Sequence, residues 1–436
     1  MDQKPAFQPL SDLATELYSR FTSIGITDTQ REGSPKTPGG VGTLSGVSRR
    51  RLLQGLLCTA AAPEIFAGSV ALAETNLVVT SSNGAATYRN PLKVDIGDPY
   101  VLRESPSSYY IYGTGGGNHG SRTAFPTFIS SNLVDWKPVG ETFARDPETS
   151  WCTEFFWAPE VYAQHGKFYM FYSAQWRHNP TNEKENFRIG VAVADKPTGP
   201  FKDIRNEPIF DPGYPIIDAD VLFDTDGKAY LYYSRCCYKH SVESEIADWA
   251  KAKGWYQEIE ESWIYGVELK PDFSGVIGEP VVILRPPVSF ADVGALWENR
   301  SVLSHAVNRR WTEGPTAFKH GELYYVMYSA NSVFGPDYSL GYATATHPLG
   351  PFAKAANNPV AEKNTNLGGD VAAPAHNCVT LSPDGKQMYC LYGARTTAIG
   401  VTIDHRVLFL QRMEIDKDGI LTVSGPDDTN DLPIPS

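Results

Sequence analysis

HGKFYMFYS (165–173), DGKAYLYYS (226–234), HGELYYVMYS (320–329) and DGKQMYCLYG (384–393) are versions of one pattern, and SSYYIYG (107–113) is a shorter copy. Each opens on turn residues, runs through an aromatic-rich strand and closes on Tyr-Ser or Tyr-Gly. The closing residues are Gly113, Ser173, Ser234, Ser329 and Gly393, at steps of 60, 61, 95 and 64 residues. A step of that size marks one supersecondary unit repeated, because a single unit cannot bury its apolar face alone. A second element recurs between the hairpins. GVAVADKPTGPF (190–201) and GYATATHPLGPF (341–352) are near copies, with looser versions at SSNLVDW (130–136) and LKPDFS (269–274). Each reads as a strand, a turn and a further outer strand. Four short strands per unit describe a propeller blade, so the repeat predicts an all-β, five-bladed β-propeller. It occupies residues 83–425 as a single domain, with 426–436 as a C-terminal tail. An open sandwich would not explain five evenly placed hairpins.

The long step between Ser234 and Ser329 holds an insertion. Ile246, Trp249 and Ala250 have helical spacing within Val242–Lys253, which predicts a short helix on the binding face. Leu408–Ile415 reads as a strand completing the last blade.

Composition supports the same class. Thirty-eight Gly and 32 Pro speak for many turns, and 42% hydrophobic residues suffice for a large core. The formal charge of −12 argues against a nucleic-acid backbone or an anionic membrane as partner. A neutral ligand such as an oligosaccharide or polysaccharide suits an acidic, aromatic-rich protein. Near the N-terminus, Ser48-Arg49-Arg50-Arg51-Leu52-Leu53 precedes a moderately apolar run that ends in Ala71-Leu72-Ala73. Paired arginines before such a run resemble a twin-arginine export signal over 48–73, with 1–47 as a disordered leader. The expected location is therefore periplasmic or extracellular. The cysteines show no metal-ligand spacing and read as buried small hydrophobes, and Cys378 and Cys390 are the pair that a hairpin could bring together.

Three acidic residues stand shortly before repeat hairpins: Asp98 in DIGDPYVL, Asp218 in PIIDADVLFDTDG and Glu313 in RWTEGPTAF. Corresponding blade positions would bring them together at one end of the propeller axis. Gathered carboxylates repel, so at least one should hold its proton near neutrality. Cleavage of a glycosidic bond needs that pairing of a carboxylate base with a carboxylic acid. Asp220, Asp224 and Asp226 read as turn residues of the following hairpin.

Asp98-Pro-Tyr-Val, Trp157-Ala-Pro-Glu-Val161, Ile217-Asp-Ala, Glu313-Gly-Pro and His376-Asn resemble, in order, the motifs of glycoside hydrolase family 43 over about residues 88–423. The resemblance implies Asp98 as general base, Asp218 as modulator of the acid's pKa and orientation, and Glu313 as general acid of an inverting enzyme. It implies a β-xylosidase or α-L-arabinofuranosidase acting on plant cell-wall oligosaccharides, with an endo-arabinanase or a non-catalytic sugar-binding propeller as the alternatives. Trp157 resembles the tryptophan beside the sugar site, although core packing between blades would also suit it. Trp151, Phe155 and Phe156 are further aromatic candidates, and Glu160 is not catalytic by its motif position. His376 resembles a histidine near the propeller axis that, in some relatives, approaches a calcium or other central ion, often through water, but Ala375 stands where that motif has Gly. Arg395 is favoured over Arg406 as a sugar-binding residue. No cofactor is required and no metal ligand is assigned.

Overall fold

The computed structural model describes residues 79–80 and 86–436, apart from 116–124, 141, 147, 181, 183–184, 238–242 and 397–404. The leader (1–47), the twin-arginine-type segment (48–73) and Val242 lie outside the described residues.

Five antiparallel blades follow one another along the chain. Their innermost strands are Ile96–Ser105, Trp157–Gln164, Ile216–Phe223, Arg309–His320 and Val371–Leu381. The second strands are the aromatic hairpin segments: Ser108–Gly115, Lys167–Gln175, Ala229–Cys237, Leu323–Ala330 and Met388–Thr396. Two further strands complete each blade outward. Leu408–Ile415 falls within the third strand of blade 5, and Leu421–Val423 is the outermost. Blades 3 and 4 are also joined edge to edge, since Glu260–Ser262 pairs in parallel with Arg309–Trp311.

The second strands are apolar at nearly every position because each is sandwiched between two neighbouring blades. Side chains alternate across a strand. Tyr110 and Tyr112 therefore enter the core shared with blade 2, while Tyr109 and Ile111 enter the core shared with blade 5. Tyr230 and Tyr232 face blade 4, whereas Leu231 and Tyr233 face blade 2. Tyr392 and Cys390 pack with blade 4, and Leu391 and Tyr389 with blade 1. The aromatic run is thus the sequence signature of burial on both faces.

The closing Tyr-Ser has a separate purpose. Each innermost strand of the first four blades is interrupted by a β-bulge, at Gly97/Tyr100, Trp157/Glu160, Ile217/Asp220 and Glu313/Thr316. Within these bulges Asp98, Ala158, Asp218 and Gly314 take left-handed φ values of 49°, 43°, 57° and 56°. In blade 5 the corresponding residue is His376, φ 54°, one position closer to the resumed ladder. The bulge turns the residue's amide away from its own ladder, and the preceding blade supplies an acceptor. Ala158 N–H donates to Thr114 Oγ1 (3.0 Å), Asp218 N–H to Ser173 Oγ (2.9 Å), Gly314 N–H to Ser234 Oγ (3.1 Å) and His376 N–H to Ser329 Oγ (2.8 Å). In blade 1 the acting residue is Thr114, one past the Gly113 of the repeat. Blade 5 has Gly393 and Ala394 at this point, so the hydroxyl series is interrupted where the ring closes on blade 1.

Closure is made by the chain before blade 1. Leu92 N–H donates to the Leu408 carbonyl (2.8 Å), Leu408 N–H to Val94 (3.1 Å), and Ile96 N–H to Arg406 (3.0 Å). The residues 426–436 do not hang free, because Leu432–Pro433 pairs with Thr87–Tyr88. In the insertion, a helix spans Glu245–Ala252, capped by Ser244 Oγ, and it buries Ile246, Ala247 and Ala250. Cys378 and Cys390 are free thiols. Cys390 stands opposite Val379, so the pleat directs Cys378 into the blade 5/blade 1 core and Cys390 into the blade 4/blade 5 core.

Ser329→Ala would leave the His376 N–H buried without an acceptor. A loss of about 1–3 kcal/mol in unfolding free energy is expected, measured by chemical denaturation. Ser108→Ala, which removes only an exposed hydroxyl, should change nothing measurable.

Candidate active site

The bulges build the site. A left-handed residue directs its side chain out of the regular pleat, and Asp98, Asp218 and His376 all stand at such positions. Glu313 does not. It precedes the left-handed Gly314 and lies in the ladder opposite Ser329, the place held by Trp157 opposite Ser173 and Ile217 opposite Ser234. The three acids are therefore on inner strands but not at one equivalent position. A Cβ at position 314 would sit 3.1 Å from the His376 ring, so glycine there keeps the histidine's place open.

Asp98 is buried and held from two sides. Arg406 donates through both terminal nitrogens, Nη1 to Oδ1 and Nη2 to Oδ2 (2.9 Å), and His376 Nδ1 lies 3.0 Å from Oδ1. Burial alone would raise the Asp98 pKa, but these cations override it and hold the carboxyl well below the usual carboxylate range. The fork of Arg406 passes where a side chain on residue 97 would be. A Cβ there would stand 2.0 Å from Nη2, and Gly97 leaves the space empty.

Asp218 Oδ2 accepts from Ser234 Oγ (3.3 Å) and from Gly314 N–H (3.2 Å). Burial raises its pKa, His376 opposes that, and the Asp98 charge adds to it. Glu313 is pushed up to about 7, by burial first and by the Asp218 charge second, against hydrogen bonds from Tyr338 and Trp311. Trp311 Nε1 donates to Glu313 Oε2. His376 rises to about 9, since its two neighbouring carboxylates outweigh the effect of burial. Charges thus alternate from Arg406 through Asp98 and His376 to Asp218, and the series ends on a Glu313 that keeps its proton near neutrality.

Other sequence candidates fall differently. Trp157 is half-buried, its ring 4.4 Å from Phe187, in a cluster with Phe155, Ile217, Cys236 and Trp311. It therefore joins the aromatic wall beside Glu313. Trp151 and Phe156 belong to the core between blades 1 and 2. Arg395 is buried and donates to the Gly335 carbonyl (2.6 Å), so it fastens a loop. Arg406, rated below Arg395 on sequence, is the residue that grips Asp98. Asp220 is no turn residue. It is buried on the inner strand, accepts from Ala317 N–H (2.9 Å), and shares Tyr162 with Glu160. Burial pushes Asp220 up to about 7 and Glu160 well above its ordinary value, so this second acid pair holds protons.

The surroundings of His376 do not fit direct ligation of a calcium ion through Nδ1. Ca²⁺ takes several oxygen ligands, whereas the Nδ1 of this imidazolium is engaged by Asp98, whose oxygens Arg406 already occupies. No group of three or more His, Cys, Asp and Glu side chains suited to a metal occurs among the described residues. Trp311 and Tyr338 were missed on sequence. Trp311 had a readable signal, since it stands two residues before Glu313 and therefore on the same strand face. Tyr338 comes from a loop, and only folding shows it.

A carboxylate held ionised and a carboxylic acid held protonated, on the inner strands of a five-bladed propeller, define a glycosidase. The profile described as "Glycosyl hydrolases family 43" matches residues 88–421, and the chain belongs to that family. It is similar to a thermostable family-43 glycoside hydrolase of known structure, with 36% identity, a TM-score of 0.66, and 80% of this chain and 99% of that one covered. The β-D-galactofuranosidase of Aspergillus niger is 24% identical over 378 residues, 83% of this chain and 92% of that protein. A xylosidase/arabinosidase of Bacteroides ovatus is 30% identical over 212 residues, covering 46% of this chain and 56% of that protein.

Arg406→Met would strand the Asp98 carboxylate. A loss of about 3 kcal/mol at neutral pH is expected for a buried pair broken on one side. With only His376 left beside it, Asp98 takes up a proton more readily than in the wild type, so the deficit should shrink as pH falls through the acidic range. Denaturation at pH values from neutral to acidic reads this directly.

Proposed function

We propose that this protein is an inverting exo-glycosidase that releases xylose or arabinofuranose from plant cell-wall oligosaccharides, with Asp98 as general base, Glu313 as general acid and Asp218 as the modulator of Glu313. The observation that carries the reading is the opposed protonation of Asp98 and Glu313. An inverting reaction needs one group ready to accept a proton from water and another ready to give one to the leaving oxygen. Asp98, beside two cations, stays ionised across the working range. Glu313, buried beside an anion, stays protonated up to about 7. Asp218 reaches both: its charge raises Glu313, and its bond from Gly314 N–H fixes the residue next to the acid.

The likeness to the xylosidase/arabinosidase of Bacteroides ovatus supports a pentose in the glycone site. The half-buried Trp157 supports a sugar face stacked beside the acid. Export through the segment 48–73 completes the proposal, and no helix among the described residues is long and apolar enough to cross a membrane.

A screen with nitrophenyl xyloside, arabinofuranoside and galactofuranoside, together with debranched arabinan, tests this reading. Asp98→Ala and Glu313→Ala should each lose nearly all turnover while remaining folded, Asp98→Ala with a lowered melting temperature because it leaves Arg406 and His376 without their carboxylate. Full activity in either refutes the roles. Cleavage confined to the galactofuranoside or to internal bonds of arabinan overturns the pentose exo reading.

The pH profile of kcat/KM is expected to be flat through the mildly acidic range and to fall above about 7 as Glu313 loses its proton. On the acid side it should fall only below the usual carboxylate range, because Asp98 is lowered. Asp218→Asn removes the anion beside Glu313, so the alkaline limb should move to lower pH.

A further inference from the structure

Arg309, Trp311 and Glu313 alternate along the inner strand of blade 4 and so share one strand face. They also touch in series. Trp311 donates to Glu313, the Arg309 guanidinium lies 4.7 Å from the centre of the Trp311 ring, and it lies 4.8 Å from the centre of Phe334. Glu260 fixes Arg309 through a 2.8 Å ion pair. Phe334 is 53% exposed, a large apolar ring presented to solvent.

The loop that carries Phe334 is well fastened. Asn331 Oδ1 accepts from Ser301 N–H (3.0 Å), Arg395 grips the Gly335 carbonyl, and Tyr338 at its far end hydrogen-bonds Glu313. A ring held this firmly and left uncovered suits stacking against a ligand rather than packing in the core.

Its side of the site is set by the chemistry. On the reading of Glu313 as general acid, the departing oxygen meets Glu313, and the sugar attached to it extends past that side. Asp98, gripped by Arg406 and His376 of blade 5, serves the opposite, water side. We propose that Phe334 and Arg309 form a subsite for the leaving-group sugar: its apolar face stacks on the Phe334 ring, and its hydroxyls accept hydrogen bonds from Arg309. The natural substrate then carries at least one sugar residue beyond the scissile bond, and Phe334 is a specificity-determining residue for it.

The test compares leaving groups. Kinetics are measured on β-linked xylobiose against β-D-xylopyranosyl fluoride, and on α-linked arabinobiose against α-L-arabinofuranosyl fluoride. The fluorides place a pentose in the glycone site but bring no leaving sugar. Phe334→Ala is expected to lower kcat/KM on the disaccharide about tenfold, the size of one lost ring contact, and to leave the fluoride rate and the alkaline pH limb unchanged. Phe334→Trp should restore the disaccharide rate. A parallel loss on both substrates, or no loss on either, overturns the subsite while leaving the glycosidase reading in place. Wild-type protein inert on all four compounds would overturn the pentosidase reading, and the subsite with it.

Discussion

The buried pair between Arg406 and Asp98 is the interaction on which the site depends. It spans the seam of the ring, joining the chain that enters the third strand of blade 5 to the first bulge of blade 1. An uncompensated carboxylate at this depth would take up a proton. With Arg406 in place it stays ionised, and its charge in turn makes His376 a cation. The same residue helps close the propeller, since its carbonyl accepts from Ile96 N–H while its side chain reaches Asp98. Closing the ring and charging the site are one event. The glycine at position 97 follows from this, because a Cβ there would stand in the Arg406 guanidinium.

From that pair outward, each group sets the next. Asp98 and Asp218 raise His376, and Asp218 with burial raises Glu313. Asp98 and Glu313 thus part in opposite directions because two cations outweigh burial at Asp98, whereas burial and a neighbouring anion act together on Glu313. The Glu160–Asp220 pair shows the contrast. With Tyr162 between them and no cation among the causes acting on either, both rise.

Much of the fold was legible in the repeat because burial on both faces of the second strand leaves an unmistakable aromatic run. Asp98, Asp218 and Glu313 stood out by lying shortly before its hairpins, although the structure sets Glu313 one ladder position earlier than the other two. Sequence could not rank Arg406 above Arg395. Both follow the last hairpin, and only the strand pairing at the seam aims one at Asp98 and the other at a loop carbonyl. Asp220 was misread because Asp-x-Asp before a hairpin resembles a turn, whereas the bulge at Asp218 returns Asp220 to the ladder on the axis side. Tyr338 reaches Glu313 from a loop with no repeat to mark it.

The left-handed residues deserve a view across blades. They carry Asp, Ala, Asp, Gly and His on a nearly common backbone frame, and in blades 2 to 5 the hydroxyl of the blade before supports that frame without touching the side chain. The supporting hydrogen bond is therefore indifferent to which side chain the frame presents, and it is the neighbours around the axis that restrict the choice, as the His376 ring does at position 314. Ala158 shows the frame carrying a residue with no functional group, held by the same kind of bond as its catalytic counterparts.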